Sequence, residues 1–136
     1  VSKRATQVLV EAFDPGLVIE LMATYRSNAM LGVPTMLVAM MEHPSFASAD
    51  LSSLKAIYSG GSTVPAAIVA DLEKRLGAPF TIVFGQTECS PVALMTWATD
   101  SIADKANTIG TPMPNVEVKI ASACGFVLAK SASRLG

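Results

Sequence analysis

Strand-like apolar runs take turns with helix-period stripes from residue 7 to residue 84, and turn residues fall between them. A strand that follows its predecessor through a helix lies parallel to it, because the crossover returns the chain to the same end of the sheet. The expected fold is therefore α/β, a mainly parallel sheet with flanking helices. Residues 7–12, 29–33, 54–58 and 80–84 are the expected strands. After the first, Asp14 is a suitable N-cap, Pro15 takes the first helical position, and Leu17, Val18, Leu21, Met22 and Tyr25 share one stripe that ends near Ser27-Asn28. Pro34-Thr35 opens a second helix through Met36, Leu37, Met40 and Met41, which His43-Pro44 stops. The third has Ser62 or Thr63 as cap, Pro65 in its first turn, Ile68, Val69, Leu72 and Leu76 on the buried face, and Gly77 at its end.

Other segments are less regular. Residues 45–53 read as a polar connection, 100–105 as one helical turn, 108–115 as a loop with two prolines, and 116–120 as a half-buried strand. Helical spacing of Met22, Met36, Met40 and Met41 assigns them to the core rather than to an adaptable pocket.

Several function classes are excluded. Ten Lys and Arg against eleven Asp and Glu leave a net charge of -1 with no run of one sign, so no nucleic-acid footprint is present. No apolar stretch reaches spanning length and the N-terminus has no signal-peptide order, which leads to the expectation of a soluble, cytoplasmic protein. Cys89 and Cys124 form no CxxC pair and are expected as free thiols, and a single histidine, His43, excludes a multi-histidine metal site. A length of 136 residues fits one modest domain, but 51% hydrophobic against 15% charged residues implies surface that expects a partner.

Two turns carry the chemistry. Ser59-Gly60-Gly61-Ser62-Thr63 and Phe84-Gly85-Gln86-Thr87-Glu88 both leave the carboxyl ends of expected parallel strands, where α/β sheets seat their ligands. The first matches neither GxxxxGK[ST] nor GxGxxG; by itself it reads first as a tight strand-to-helix turn, with a polar-ligand loop as the alternative. In the second, Gly85 permits close backbone approach, Thr87 can bond a phosphate oxygen, Glu88 suits magnesium, and Phe84 offers a face for a purine. A strand end followed by a solvated turn remains the plainer alternative. Cys89 has only His43 as a possible histidine base, so a thiol nucleophile is not expected. Lys55, Lys74, Lys105 and Lys119 fit no catalytic motif and are expected on the solvated surface. Residues 92–94 and Trp97 suit either an acyl tunnel or ordinary packing.

"SGGSTVP", "FGQTECSPV" and "KANTIGTPMPNVEVKI", in that order, resemble the adenylate-forming superfamily, and its fatty-acyl-CoA synthetases most closely. The resemblance implies that ATP and a fatty acid give an acyl-adenylate and pyrophosphate, and that the thiol of coenzyme A then displaces AMP, with magnesium assisting the first step. It places Gly61, Ser62 and Thr63 along one side of the adenine and Phe84 on the other, where family members commonly carry tyrosine. Gly60 and Gly61 would border the acyl channel, Gly85 and Gln86 would shape the wall, Thr87 would touch the α-phosphate, and Glu88 would hold magnesium. Thr87 and Glu88 are thus the candidate catalytic pair.

The sequence departs from the family pattern in holding no phosphate loop ending in Pro-Lys, no Thr-Gly-Asp motif and no C-terminal catalytic lysine. It is expected to be a central slice of the large N-terminal domain, with residues 1–120 a partial adenylation domain and 121–136 a divergent tail. On its own such a piece is expected not to turn over, and to self-associate through faces that the rest of the domain would cover. A non-enzymatic remnant that folds without binding nucleotide is the alternative, and an unrelated flavodoxin-like module would require the ordered motifs to be coincidental.

Overall fold

A computed structural model of the protein describes residues 4–89, 91–122 and 127–132. The first helix, α1 (Pro15–Thr24), starts where the sequence places it: Asp14 Oδ1 accepts a hydrogen bond from the Leu17 N–H at 2.7 Å, and Pro15 follows the cap. Its buried residues are Ile19 and Met22, three apart, whereas Leu17 and Tyr25 of the expected stripe are exposed. The helix stops at Thr24, a few residues before the expected end, and Arg26 takes a left-handed conformation at φ 48°.

The sheet is built from β1 (Ala29–Leu31), β2 (Ala56–Gly60), β3 (Phe80–Gly85), β4 (Val92–Met95) and β5 (Thr111–Pro112), in that spatial order. α2 (Pro34–Glu42) connects β1 to β2, and α3 (Ala66–Leu76) connects β2 to β3. β1, β2 and β3 are parallel, while β4 and β5 run antiparallel to their neighbours, so the α/β sheet is mixed. Two crossovers of the same hand between sequential strands place α2 and α3 on one face.

That face holds the core. Register aligns Met30 with Ile57, Ile57 with Phe80, and Ser59 with Ile82, so these side chains point the same way. They meet Ile19, Met22, Leu37, Met40, Val69, Leu72 and Leu76 from the helices. Each such side chain contributes roughly 1.5–3 kcal/mol by leaving water. Met22 and Met40 are in this core and Met41 packs against it, as expected from their helical spacing, whereas Met36 is half-buried and outside the cluster.

Several expectations are corrected. Residues 7–12 form no strand: the sheet ends at β1, and Leu9 is 84% exposed, so an apolar run with no ladder to join stays irregular. The connection after α2 is less polar than its composition suggests, because a 3₁₀ turn at Pro44–Ala47 buries Phe46 beneath the Arg75 guanidinium, 4.6 Å from the ring centre. Neither Ser62 nor Thr63 caps α3; Pro65 occupies the cap position and makes no side-chain bond there. The late helical turn is α4 (Ile102–Asn107), capped by Ser101, whose Oγ accepts from the Asp104 N–H at 3.1 Å. The expected strand near residue 116 is β6 (Glu117–Ala121), but it is mostly exposed and pairs with β7 (Val127–Ala132) in a separate antiparallel ribbon. Lys105, expected on the surface, is 3% exposed. Cys124 lies outside the described residues, and Cys89 is an exposed free thiol.

Candidate nucleotide-facing site

β2 and β3 end side by side, and Gly60 aligns with Val83 at that edge. The chain leaves β2 through residues 61–63 and leaves β3 through Phe84 and Gly85. Both turns line one cleft of about 810 Å³, which also takes residues 105–110 as a third wall. A volume of that order suits a ligand of nucleotide size, since pockets for small molecules run roughly 300–1,000 Å³.

The first wall is Gly60, Gly61, Ser62 and Thr63. Gly61 has φ 83° and turns the chain out of the strand, leaving both hydroxyl residues exposed at the opening rather than bonded into the helix start. Phe84 lines the second wall with 49% exposure, an apolar ring at a strand end that pairs across the ladder with the buried Leu94. One residue before the first wall, the Ser59 hydroxyl is fully buried and has no hydrogen-bond partner, the one such side-chain atom among the described residues. An orphan of this kind next to a cleft is uncommon in a purely structural strand.

Gly85 allows a close approach, and its partner is the protein itself: a Cβ there would run into the Pro91 carbonyl, where the β3–β4 pairing shifts register. The tight hairpin sends Gln86, Thr87 and Glu88 outward. Thr87–Cys89 forms a short 3₁₀ turn closed by the Cys89 N–H donating to Gln86 O at 2.8 Å. Gln86, Thr87 and Glu88 are exposed and stand beyond the residues that line the cleft. The structure thus brings the Gly60–Thr63 set together with Phe84 and Gly85, and holds the polar trio just past them.

Sequence reasoning did not foresee the third wall. Residues 108–115 read as a loop with two prolines, and residues 108–110 are indeed irregular, leading from the end of α4 to β5. Gly110, at φ 81°, lies so close to the Met95 carbonyl and Thr96 nitrogen that no Cβ fits. The usable signal was Gly110 itself, one position before a Thr-Pro pair. Residues 92–94, which suited either an acyl tunnel or ordinary packing, lie in β4 (Val92–Met95), where Ala93 and Leu94 are buried. Trp97 bridges to the neighbouring strand by donating from Nε1 to Thr111 Oγ1 at 2.9 Å.

Metal binding has one plausible donor here. Among the described residues no three His, Cys, Asp or Glu side chains gather into a metal-holding group, and Glu88 is a single exposed carboxylate. Magnesium keeps several waters and takes one or two carboxylates alongside substrate phosphates, so Glu88 fits as the lone protein ligand of a nucleotide-borne ion.

An open α/β sheet whose parallel strands end at a shared cleft belongs to the class of folds that seat ligands at strand ends. The chain belongs to the AMP-binding enzyme family, whose model matches residues 1–129. It is similar to a putative acyl-CoA synthetase of Bacillus subtilis strain 168, YngI, at 38% identity over 121 residues, which is 88% of this chain and 22% of that protein. It is also similar to a feruloyl-CoA synthase of an Amycolatopsis species, at 37% identity, covering 90% of this chain and 25% of the relative. The fold matches the amide bond synthetase McbA from Marinactinospora thermotolerans with a TM-score of 0.79 and 29% identity, over 88% of this chain and 24% of that one. The chain therefore spans about a quarter of the length of the relatives it matches.

Proposed function

We propose that this chain is the nucleotide-facing part of an ATP-dependent acid–CoA ligase acting on a fatty acid. In that reaction a carboxylate oxygen attacks the α-phosphorus of ATP and the bond to pyrophosphate breaks. The sulfur of coenzyme A then attacks the acyl carbonyl, and AMP leaves with the electron pair of the broken acyl–phosphate bond. The supporting observation is that residues 60–63 and Phe84 face each other across one cleft at the carboxyl ends of parallel strands.

The proposed residue roles are those that the family resemblance implies. Phe84 stacks on the adenine, and Gly61, Ser62 and Thr63 lie along its other side, with Gly60 beside the acyl group. Gly85 and Gln86 shape the rim, and Thr87 donates its hydroxyl to the α-phosphate. Glu88 holds magnesium, which when bound would spread the negative charge of the phosphates. This division requires Thr87 and Glu88, which stand outside the cleft lining on the exposed 3₁₀ turn at Thr87–Cys89, to turn toward the ligand.

The chain alone is proposed to bind nucleotide without turning over. Lys105 is the one charged side chain among the residues that line the cleft, and its ammonium group is already held by Glu73 and a carbonyl. A cytoplasmic setting and self-association belong to the same proposal; among the described residues no helix is long and apolar enough to cross a membrane.

Calorimetric titration with AMP, and with ATP plus magnesium, tests the reading. Replacing Phe84 by Ala is expected to weaken AMP binding by roughly five- to a hundredfold, since a base–aromatic stack is worth about 1–3 kcal/mol. Glu88→Ala is expected to weaken magnesium-ATP while sparing AMP. No binding at millimolar nucleotide would instead favour a remnant that folds without a ligand, and pyrophosphate release from ATP with a fatty acid would contradict the lack of turnover.

A further inference from the structure

α4 supplies the third wall of the cleft, yet it is only six residues long, too short to be stable by itself. Helices of this kind are normally held by an apolar stripe. In α4 the one buried residue is Lys105, while Ile102 is 38% exposed. Lys105 Nζ donates to Glu73 Oε1 on α3 at 2.8 Å and to the Ala98 carbonyl at 2.8 Å. Glu73 Oε1 also accepts from the Phe80 N–H at 2.8 Å, at the first residue of β3. One carboxylate oxygen therefore ties α3, β3 and α4 together.

Burying a lysine is costly, and an apolar side chain of the same volume would often be as stable. What the ammonium adds is direction: two acceptors on separate elements fix where α4 sits, which a greasy contact does not. From Lys105 the chain continues directly into the wall. Thr108 Oγ1 donates to Asp104 O at 2.8 Å and accepts from the Gly110 N–H at 3.2 Å, so a displacement of α4 is transmitted to residues 107–110.

We propose that Lys105 is a positioning residue for nucleotide binding, acting through the Lys105–Glu73 pair to hold residues 107–110 in place as the wall of the cleft. This rests on the reading that the cleft takes a nucleotide. Lys105→Met, which keeps the bulk and removes the charge, is the main test, with Lys105→Arg and Glu73→Gln as companions. Two readouts apply to the full chain at a temperature where circular dichroism shows the variant folded: the AMP dissociation constant, and amide hydrogen exchange at residues 107–110 against residues 57–59 of β2.

Lys105→Met is expected to raise exchange at 107–110 at least tenfold with less than threefold change at 57–59, and to weaken AMP binding about tenfold or more. Lys105→Arg, which restores the cation, is expected to recover at least half of the loss on a logarithmic scale. Exchange that rises equally in both segments, or not at all at 107–110, overturns the proposal, as does unaltered AMP affinity. Should Lys105→Met fail to fold, Glu73→Gln is judged by the same comparison, because Gln still accepts from the Phe80 N–H. If the parent chain binds no AMP, the nucleotide reading fails, and local exchange alone decides whether Lys105 holds the wall.

Discussion

Thr96 and Ile82 hold each other by both backbone and side chain. The Thr96 hydroxyl, fully buried, accepts from the Ile82 N–H at 2.8 Å, and the Thr96 N–H donates to Ile82 O at 3.0 Å. Thr96 lies one residue past β4, so its hydroxyl stands where a backbone carbonyl would otherwise complete the ladder. Ile82 lines the cleft, and this pair fixes the β3 strand end that presents Phe84. Thr96→Val keeps the shape and removes the acceptor, leaving a buried N–H unpaired. A loss of about 1–3 kcal/mol is expected in urea unfolding. An unchanged midpoint would mean that the bond is not formed in solution.

Gly110 and Gly77 make a controlled comparison. Both have positive φ, 81° and 63°, but a Cβ on Gly77 meets nothing within 4 Å, whereas one on Gly110 collides with the Met95 carbonyl. Gly77→Ala carries only the left-handed backbone penalty, about 1 kcal/mol. Gly110→Ala adds the steric term and is expected to lower stability by at least about 2 kcal/mol more. Thermal melts of the two variants under one condition check the difference; equal losses would show that residue 110 does not pack against β4.

Ser59 tests the opposite sign. Its hydroxyl is buried without a partner, so Ser59→Ala removes a desolvated polar group and is expected to leave stability unchanged or raise it by about 1 kcal/mol. A clear loss of stability would reveal a bond partner for this hydroxyl in solution.

Self-association is expected through the open edge of the sheet. β1 is its terminal strand, and Leu31 on it is 72% exposed. Light scattering of the chain should give a mass that grows with concentration, and Leu31→Lys should shift it toward monomer because a charge on an edge opposes further pairing. A parent chain that stays monomeric at roughly 100 µM, far above the range of a Kd near 1 µM, would remove this expectation.

The elements that the sequence determined by itself are those whose signals are local. Asp14-Pro15 starts α1, Pro34 starts α2, Gly77 ends α3, and the spacing of Val69, Leu72 and Leu76 sets the face that α3 buries. The turns after β2 and β3 were legible as site candidates for the same reason, since glycine and hydroxyl residues at strand ends announce themselves within a few positions. The order of motifs was enough to indicate the family. Only the tertiary structure decided the rest. Residues 7–12 carry a strand's composition but have no place in the ladder, and pairing is a property of two segments rather than one. Lys105 looks like any surface lysine until Glu73, 32 positions away, supplies the carboxylate that makes its burial tolerable. The close Gly85–Pro91 approach that shapes the turn carrying Gln86, Thr87 and Glu88 is likewise a packing constraint that no local pattern encodes.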